Sequence, residues 1–255
     1  GGYVFNSLLQ YNPNQLKSID QDIENRLFNR PFLWQQFIGF SIQFDQPILD
    51  EFTATWMDFT VDQLNDTAFM YVLPESKNTA LFEYTLFSKS IEPEEVFKSN
   101  IVQYLKTYFP NTNYTILHQE QGVIPMSVIT PMEESKVISI GTIGGAVKPS
   151  TGFAFSFIQS QTAKIVDLLE QHKSPNTSIQ TRKYQFFDKV FINVLDKRTM
   201  SGKDLFVHIF KANHIQTIFR FLSNTSSWWE DLLIMNALPK RIFLKSALEV
   251  LFQRD

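Results

Sequence analysis

The sequence has no cysteine, and this absence removes several kinds of site at once. Without a thiolate the chain can form no disulfide, cysteine nucleophile, redox pair or cysteine-ligated metal centre. An excess of positive charge is also missing, because 23 basic side chains stand against 26 acidic ones and the formal net charge is -3. No broad positive field attracts phosphates, so nucleic acid is not expected as a partner.

Long apolar runs and the common nucleotide and hydrolase motifs are missing as well. No uninterrupted apolar stretch approaches the roughly 18 residues of a membrane-spanning helix. No Gly-x-Gly-x-x-Gly, Walker or Gly-x-Ser-x-Gly sequence occurs. The four histidines are scattered without metal-ligand spacing, so no metal site is expected. No apolar leader precedes the Asn-x-Ser/Thr sequons, so we expect a cytoplasmic location.

What the sequence does contain is apolar surface. The chain has 255 residues, of which 44% are hydrophobic, and 25 of them are phenylalanine. This is enough to fold as one large or two modest domains without covalent staples. The phenylalanines need either a core or an apolar ligand to face.

The apolar pattern predicts an antiparallel sheet followed by helices. Runs with strand character, separated by turn residues, predict at least four strands, at 33–44, 54–61, 67–73 and 79–87. A helix is predicted to begin near Pro93, where a proline and two glutamates form the first turn. From Arg182 to the end of the chain the pattern predicts only helices.

A glycine-rich segment stands between a predicted strand at 137–140 and a helix that runs to about His172. Ser150 or Thr151 is the expected N-cap of that helix. Glycines let a backbone approach a ligand closely, and the free amides of a helix start attract anionic or electron-rich groups. The alternative is a tight structural turn with a capped helix.

Two acidic residues, Asp58 and Glu83, lie within apolar strands. Alternation on a strand places Glu83 on the side opposite Phe82 and Tyr84. Apolar surroundings raise the pKa of a carboxyl, which then donates protons near neutrality. The alternative is that Glu83 lies on the solvated side of the sheet. Further along, Trp228-Trp229 suggests a membrane contact, although one of the pair is expected in the helix core.

Seven segments taken together resemble one family, the flavin-dependent lycopene cyclases of the bacterial β-cyclase type. They follow the family's order along the chain and cover 3–7, 34–39, 56–59, 69–74, 81–85, 122–126 and 140–153. The resemblance implies an α+β fragment of an FAD/NAD(P)-binding flavoprotein fold, like that of p-hydroxybenzoate hydroxylase, without the N-terminal dinucleotide-binding βαβ unit.

The resemblance also implies a division of the chain into four parts. Residues 1–32 are expected to be a residual flavin-domain strand and connection, and 33–135 a substrate-binding antiparallel sheet with one helix. Residues 136–175 would form a flavin-contacting strand, turn and helix, and 176–255 a helical C-terminal part.

The activity implied is an isomerase reaction of carotenoid biosynthesis: acid–base cyclisation of the linear ends of lycopene to β-rings, with reduced FAD and with NAD(P)H as its reductant. Glu83 matches the glutamate of the family's acidic motif and is expected to transfer the proton. Tyr84 stands where plant members have a second acid, and Asp58 either supports Glu83 or holds structure. Aromatic rings near these acids are expected to bind substrate and stabilise a cation, namely Trp56, Phe59, Phe82 and Tyr84. The residues that match the flavin segment are Gly141, Thr142, Gly144, Gly145, Lys148, Pro149, Ser150, Thr151 and Gly152.

Because lycopene is a hydrocarbon of the bilayer, the resemblance implies peripheral contact with a membrane. Two other functions stay open: a flavin monooxygenase or reductase acting on another apolar substrate, and a non-catalytic carotenoid- or lipid-binding module. The sequence also leaves open whether one or both ends are cyclised, which ring forms, the oligomeric state, and whether the fragment binds FAD alone.

Overall fold

The computed structural model describes residues 2–7, 31–128 and 136–252, which form seven strands and seven α-helices. The chain divides into two compact units. The first, here called the sheet unit, comprises residues 34–124 with 201–203. The second, here called the helical unit, comprises the remaining described residues. The expected mixture of an antiparallel sheet with C-terminal helices is confirmed.

The sheet unit is built on five strands in the spatial order β3-β4-β5-β2-β6. Strand β5 is central, and its register pairs Glu83 with Gly39 on β2 and with Tyr71 on β4, both antiparallel. The four strands expected from the pattern are present, and a fifth follows the first helix. Their bounds are β2 Leu33–Phe44, β3 Thr55–Asp58, β4 Thr67–Pro74, β5 Thr79–Ser88 and β6 Tyr114–Met126.

One face of this sheet is covered by helix α1, Glu94–Tyr108. Pro93 occupies its N-cap with an extended backbone, and Glu94 and Glu95 stand in the first turn, where the helix dipole favours acids. Alternate strand residues and one stripe of the helix therefore form a shared core. Its members are Ile38, Phe40, Ile42, Phe44, Ala68, Met70, Val72, Ala80, Phe82, Tyr84, Leu86, Phe97, Ile101, Tyr104 and Leu105.

In the helical unit a short parallel pair, β1 Val4–Asn6 and β7 Val137–Ser139, leads into a 3-10 turn, Gly141–Gly144. Helix α2, Phe155–Glu170, follows. The expected order of strand, glycine turn and helix is confirmed, but neither Ser150 nor Thr151 is the N-cap, which is Ala154. The helix begins later because two backbone hydrogen bonds close a loop before it. The Lys148 amide donates to the Phe153 carbonyl, and the Gly152 amide donates to the Lys148 carbonyl.

Five further helices confirm that the described chain beyond Arg182 is helical: α3 Arg182–Asp196, α4 Gly202–Ala212, α5 Ile215–Leu222, α6 Trp228–Ala237 and α7 Lys240–Phe252. Helix α6 starts with a capping box, in which Ser227 and Glu230 bind each other's backbone amides. No helix within the described ranges combines the length and apolar character needed to cross a bilayer.

Candidate functional site

Glu83 stands on the sheet face opposite α1, which we call the Glu83 face. The residues in register with it on the neighbouring strands, Gly39 and Tyr71, share this face because directly paired residues point to the same side. Aromatic rings line the face beside the carboxyl. Edge-to-face pairs connect Trp56 to Tyr71 at 5.1 Å between ring centroids, Phe69 to Tyr71 at 5.1 Å and Phe59 to Phe69 at 5.7 Å.

Three influences act on the proton of Glu83. Partial burial raises the pKa of its carboxyl above the ordinary glutamate value, and this is the largest effect. The Thr85 hydroxyl donates to Glu83 Oε1 at 2.8 Å and lowers that pKa, whereas the charge of Glu120 raises it. The balance is a raised pKa, so the neutral acid persists to higher pH than in an exposed glutamate.

Glu120 is a residue of this face that the sequence reasoning missed. A Cβ placed on Gly39 would lie 3.0 Å from both Cγ and Oε1 of Glu120, so the Glu120 side chain lies over the glycine that faces Glu83. The sequence signal for Glu120 is Gly39, the glycine that pairs with Glu83 on the neighbouring strand β2. Finding it required the strand pairing, which the sequence alone did not define.

Asp58 does not share this face. It pairs with Met70, a core residue, and its Oδ2 accepts a hydrogen bond of 2.8 Å from the Tyr104 hydroxyl on α1. Its Oδ1 accepts the Thr60 amide at 2.9 Å. Of the two roles expected for Asp58, the geometry matches the structural one, since both oxygens hold the β3 turn and the helix.

Phe82 and Tyr84 are also separated from Glu83, as strand alternation requires. Both side chains are 0% exposed in the core beneath α1. Tyr84 packs edge-to-face on Phe97 at 5.7 Å and donates its hydroxyl to the Asp62 carbonyl at 2.8 Å. The expected substrate contact therefore has to be corrected for these two rings, which are core residues. Trp56 and Phe59 contact Tyr71 and Phe69, whose side chains point to the Glu83 face, and their contact with substrate stays a prediction.

The glycine-rich segment of the helical unit holds an unusual backbone. Gly141, Gly145 and Gly152 have positive φ angles of 64°, 73° and 71°, which other residues adopt with strain. A Cβ on Gly144 would lie 2.4 Å from the Ser139 carbonyl oxygen, so the turn packs directly on the end of β7. Helix α2 fixes the turn through Gln161, which accepts the Gly141 amide at 2.9 Å and donates to the Gly144 carbonyl at 3.2 Å.

The side chains of Lys148 and Ser150 are both bonded to other residues of the protein. The Lys148 ammonium is fully buried and lies 2.9 Å from Asp188 Oδ1 on α3 and 3.0 Å from Asn224 Oδ1. Ser150 donates to the same Asp188 oxygen at 2.6 Å. The expectation that these two side chains contact the cofactor directly is therefore corrected, because they bind the glycine-rich segment to Asp188 of α3.

Two hydroxyls differ from these side chains because they have no partner among the described residues: one lies in the loop before α2 and one in the first turn of α2. Thr151 Oγ1 and Ser156 Oγ are buried and have no hydrogen-bond partner. A buried hydroxyl without a partner costs free energy, so it is ordinarily paired with an ordered water or a bound polar group. The glycine amides of Gly141, Gly145 and Gly152 already donate within the segment. The two hydroxyls and the first-turn amides of α2 remain as donors suited to an anionic or electron-rich cofactor, and a flavin nucleotide fits this set. Pro149 is buried within the loop, and its burial does not by itself indicate a contact with a cofactor.

Two other expectations concern metals and tryptophans. In the part of the chain that the structure describes, no group of three potential ligands could hold a metal ion. Trp228 and Trp229 stack on each other at 3.7 Å and are 58% and 64% exposed, so the expectation that one of them lies in the core is wrong. Their helix buries Asp231 and Ile234 instead.

The comparisons with known proteins give one family match. A family model described as lycopene cyclase protein matches residues 22–248. No curated protein matches the chain. Among solved structures, the flavin-dependent brominase Bmp2 is 11% identical with a TM-score of 0.43, and the alignment covers 100% of this chain and 64% of that one.

Two other solved structures are similar at the same level. The p-nitrophenol 4-monooxygenase PnpA from Pseudomonas putida DLL-E4 is 12% identical with a TM-score of 0.40, covering 96% of this chain and 58% of that one. A geranylgeranyl bacteriochlorophyll reductase-like protein from Thermoplasma acidophilum is 11% identical with a TM-score of 0.36, covering 85% and 52%. The chain thus spans less than two thirds of each, and likenesses this weak carry no inference about its chemistry.

Proposed function

This chain belongs to the lycopene cyclase family, and from that premise we propose that it converts the linear ends of lycopene to β-rings by acid–base chemistry. The observation that carries the proposal is Glu83, a carboxyl with a raised pKa on an aromatic-lined sheet face. A cyclisation of this kind needs a proton donor near neutrality and surroundings that tolerate a carbocation. The raised pKa of Glu83 supports the first requirement, and the aromatic rings of the Glu83 face support the second.

The proposed reaction begins when Glu83 gives its proton to the terminal double bond of lycopene. A tertiary carbocation forms, the neighbouring double bond attacks it, and the six-membered ring closes. Loss of a proton from the new ring to a carboxylate completes the isomerisation, so no electrons are gained or lost. The faces of Trp56, Phe59 and Tyr71 supply negative electrostatic potential to the cation, an effect of about 0.5–2 kcal/mol per ring.

The cofactor of the proposal is FAD in its reduced form, with NAD(P)H as reductant. The residues that would hold it are in the turn that contains Gly141, Gly144 and Gly145, with the hydroxyls of Thr142 and Thr151 as donors. Lys148 and Ser150 hold this loop in place through Asp188. When bound, reduced flavin supplies negative charge, which favours the formation of a carbocation.

We also propose that the protein contacts the cytoplasmic face of an anionic membrane through α7, because its substrate is a bilayer hydrocarbon. Leu244, Leu248 and Leu251 recur at helical spacing and are all exposed, and Phe252 follows them. The basic residues Lys240, Arg241 and Lys245 are exposed on the same helix. Its acid, Glu249, is instead paired at 2.8 Å with Lys197, which caps the C-terminal end of α3. Exposed leucines flanked by basic side chains are typical of a helix lying in an anionic interface.

Vesicle binding tests the membrane contact. The double substitution Leu244→Ser, Leu248→Ser removes two apolar anchors of about 1.5 kcal/mol each, so partitioning to phosphatidylglycerol vesicles should fall by about 100-fold. The matched control is Ile158→Ser, another exposed apolar residue, on α2. Equal binding of the double variant and wild type would contradict the proposal.

Cyclisation itself is tested with the whole protein, lycopene and pre-reduced FAD. Cyclic carotenes should appear without stoichiometric consumption of NAD(P)H. Consumption of NAD(P)H in proportion to product would instead indicate a flavin monooxygenase or reductase. Carotenoid that binds and is recovered unchanged would indicate a non-catalytic binding module. Either of these two results would overturn the proposed reaction.

A further inference from the structure

We infer that Glu120 is a positioning residue that keeps Glu83 protonated by facing it across the space left open at Gly39. The inference rests on the proposed role of Glu83 as proton donor and extends it to a second carboxyl. It comes from the sheet geometry: β5 and β6 are separated by β2, and the β2 residue opposite Glu83 is the one without a side chain.

Gly39 sets the distance between the two acids. Glu120 Oε1 and Leu81 Cδ1 each lie 3.0 Å from the position that a Gly39 Cβ would take, so the Glu120 carboxyl leans over β2 beside a Leu81 methyl group. Paired residues on adjacent strands have Cβ atoms about 4.5–5.5 Å apart. These two distances put Glu120 Oε1 within about 8 Å of the Glu83 Cβ, and we take a separation on the order of 6 Å between the carboxyls, at which one charge acts on the other. A larger side chain at position 39 would fill this space and force Glu120 away.

The other groups that face Glu83 do not supply an opposing charge. On its own strand Thr85 donates a neutral hydrogen bond. On β4, Tyr71 remains a neutral phenol, because removal from water and the Glu83 charge both raise the pKa of its hydroxyl. Asp58 on β3 is turned to the helix side, where Tyr104 holds it. Glu120 is the charged group on the Glu83 face whose interaction with Glu83 the described structure records.

Charge repulsion across this gap favours the neutral form of Glu83 when Glu120 is ionised. For unit charges about 6 Å apart, an effective dielectric constant between about 80 and 20 gives a shift of about 0.5 to 2 pH units. Removing the Glu120 charge should therefore lower the pH at which Glu83 loses its proton by that amount. The uncharged isostere Glu120→Gln makes this change while keeping the side-chain shape.

The direct test is a pH titration of carboxyl resonances in the whole protein labelled with [13C]glutamate. The Glu83 resonance is assigned as the one missing in Glu83→Gln. We expect Glu120→Gln to lower its midpoint by about 0.5 to 2 pH units and to move the alkaline limb of the cyclisation profile equally. Glu120→Asp, which retains the charge on a shorter stem, should give a smaller shift. Glu95→Gln is the matched control, since it removes the same charge from the exposed start of α1.

An unchanged Glu83 midpoint in Glu120→Gln would overturn the inference, whether or not activity is lost. An equal shift in Glu95→Gln would overturn it as well, since net charge would then explain the effect. Should Glu120→Gln fail to fold, Glu120→Ala, which also removes the charge, decides by the same titration, and an unchanged Glu83 midpoint there would overturn the inference. Failure of the proposed function is a separate result: Glu83→Gln would then retain cyclisation, whatever the titration shows.

Discussion

Replacing Lys148 by methionine should destabilise the protein more than any surface charge change. The Lys148 and Asp188 side chains are 0% and 2% exposed, and their ion pair is closed at 2.9 Å. Methionine keeps the length of the lysine stem but removes the ammonium. Asp188 is then left as a buried carboxylate with Ser150 as its remaining donor, and Asn224 Oδ1 loses the ammonium that donates to it.

The expected loss is about 3–5 kcal/mol of unfolding free energy, because an uncompensated charge remains in the interior. This is a large part of the roughly 5–15 kcal/mol that holds a typical domain. Removing both partners, as in Lys148→Met, Asp188→Leu, leaves no orphaned charge and should recover most of the loss. The matched control is Lys98→Met, which breaks an ion pair of 2.9 Å on α1 with partners 38% and 50% exposed. Its cost should stay below about 0.5 kcal/mol.

Urea unfolding followed by circular dichroism is measured for the wild type, Lys148→Met, Asp188→Leu, the double variant and Lys98→Met. The reasoning predicts a clear gap between Lys148→Met and Lys98→Met, and a double variant more stable than Lys148→Met. It would be refuted by a cost below 1 kcal/mol for Lys148→Met, or by a double variant that merely sums two single losses. Weaker FAD binding by Lys148→Met at temperatures where it is folded would add that the pair also shapes the glycine-rich loop.

Two further predictions concern the sheet unit. Tyr84→Phe removes the hydrogen bond to the Asp62 carbonyl and should cost about 1 kcal/mol in urea unfolding while leaving the cyclisation rate per folded molecule unchanged, since Tyr84 lies in the core. Glu83→Gln should alter the pH dependence of stability. Because the pKa of Glu83 is raised on folding, the native state binds this proton more tightly, so wild-type stability falls as pH rises from the ordinary glutamate range through the raised pKa. The glutamine variant should lack that fall, and identical pH profiles in urea unfolding would refute the assignment.

The sequence was most informative where a pattern repeats along a strand or helix. Alternation correctly placed Glu83 opposite Phe82 and Tyr84, because side chains on a strand change face at each residue. The same rule does not predict the face of Asp58, because a register shift between Thr55 and Asp58 turns the aspartate to the helix side. A local irregularity of this kind leaves no periodic signal.

Contacts between distant segments could not be predicted. Glu120 reaches Gly39 from a strand that follows α1 in the chain, and Lys148 meets Asp188 forty residues later. The glycine-rich segment predicted a ligand loop from composition, yet composition cannot distinguish Lys148, which is consumed by an ion pair, from Thr151, whose hydroxyl has no partner. The two exposed tryptophans show the same limit, since a short helix with apolar residues on most of its sides does not reveal which side is covered.

The claim on which the account depends is that Glu83 delivers the proton that starts ring closure. The most direct measurement is product analysis of the whole protein carrying Glu83→Gln, with lycopene, reduced FAD and bound flavin quantified in the same samples. The account predicts normal flavin binding, unconverted lycopene and no cyclic carotene. Cyclic carotene formed at the wild-type rate would contradict it.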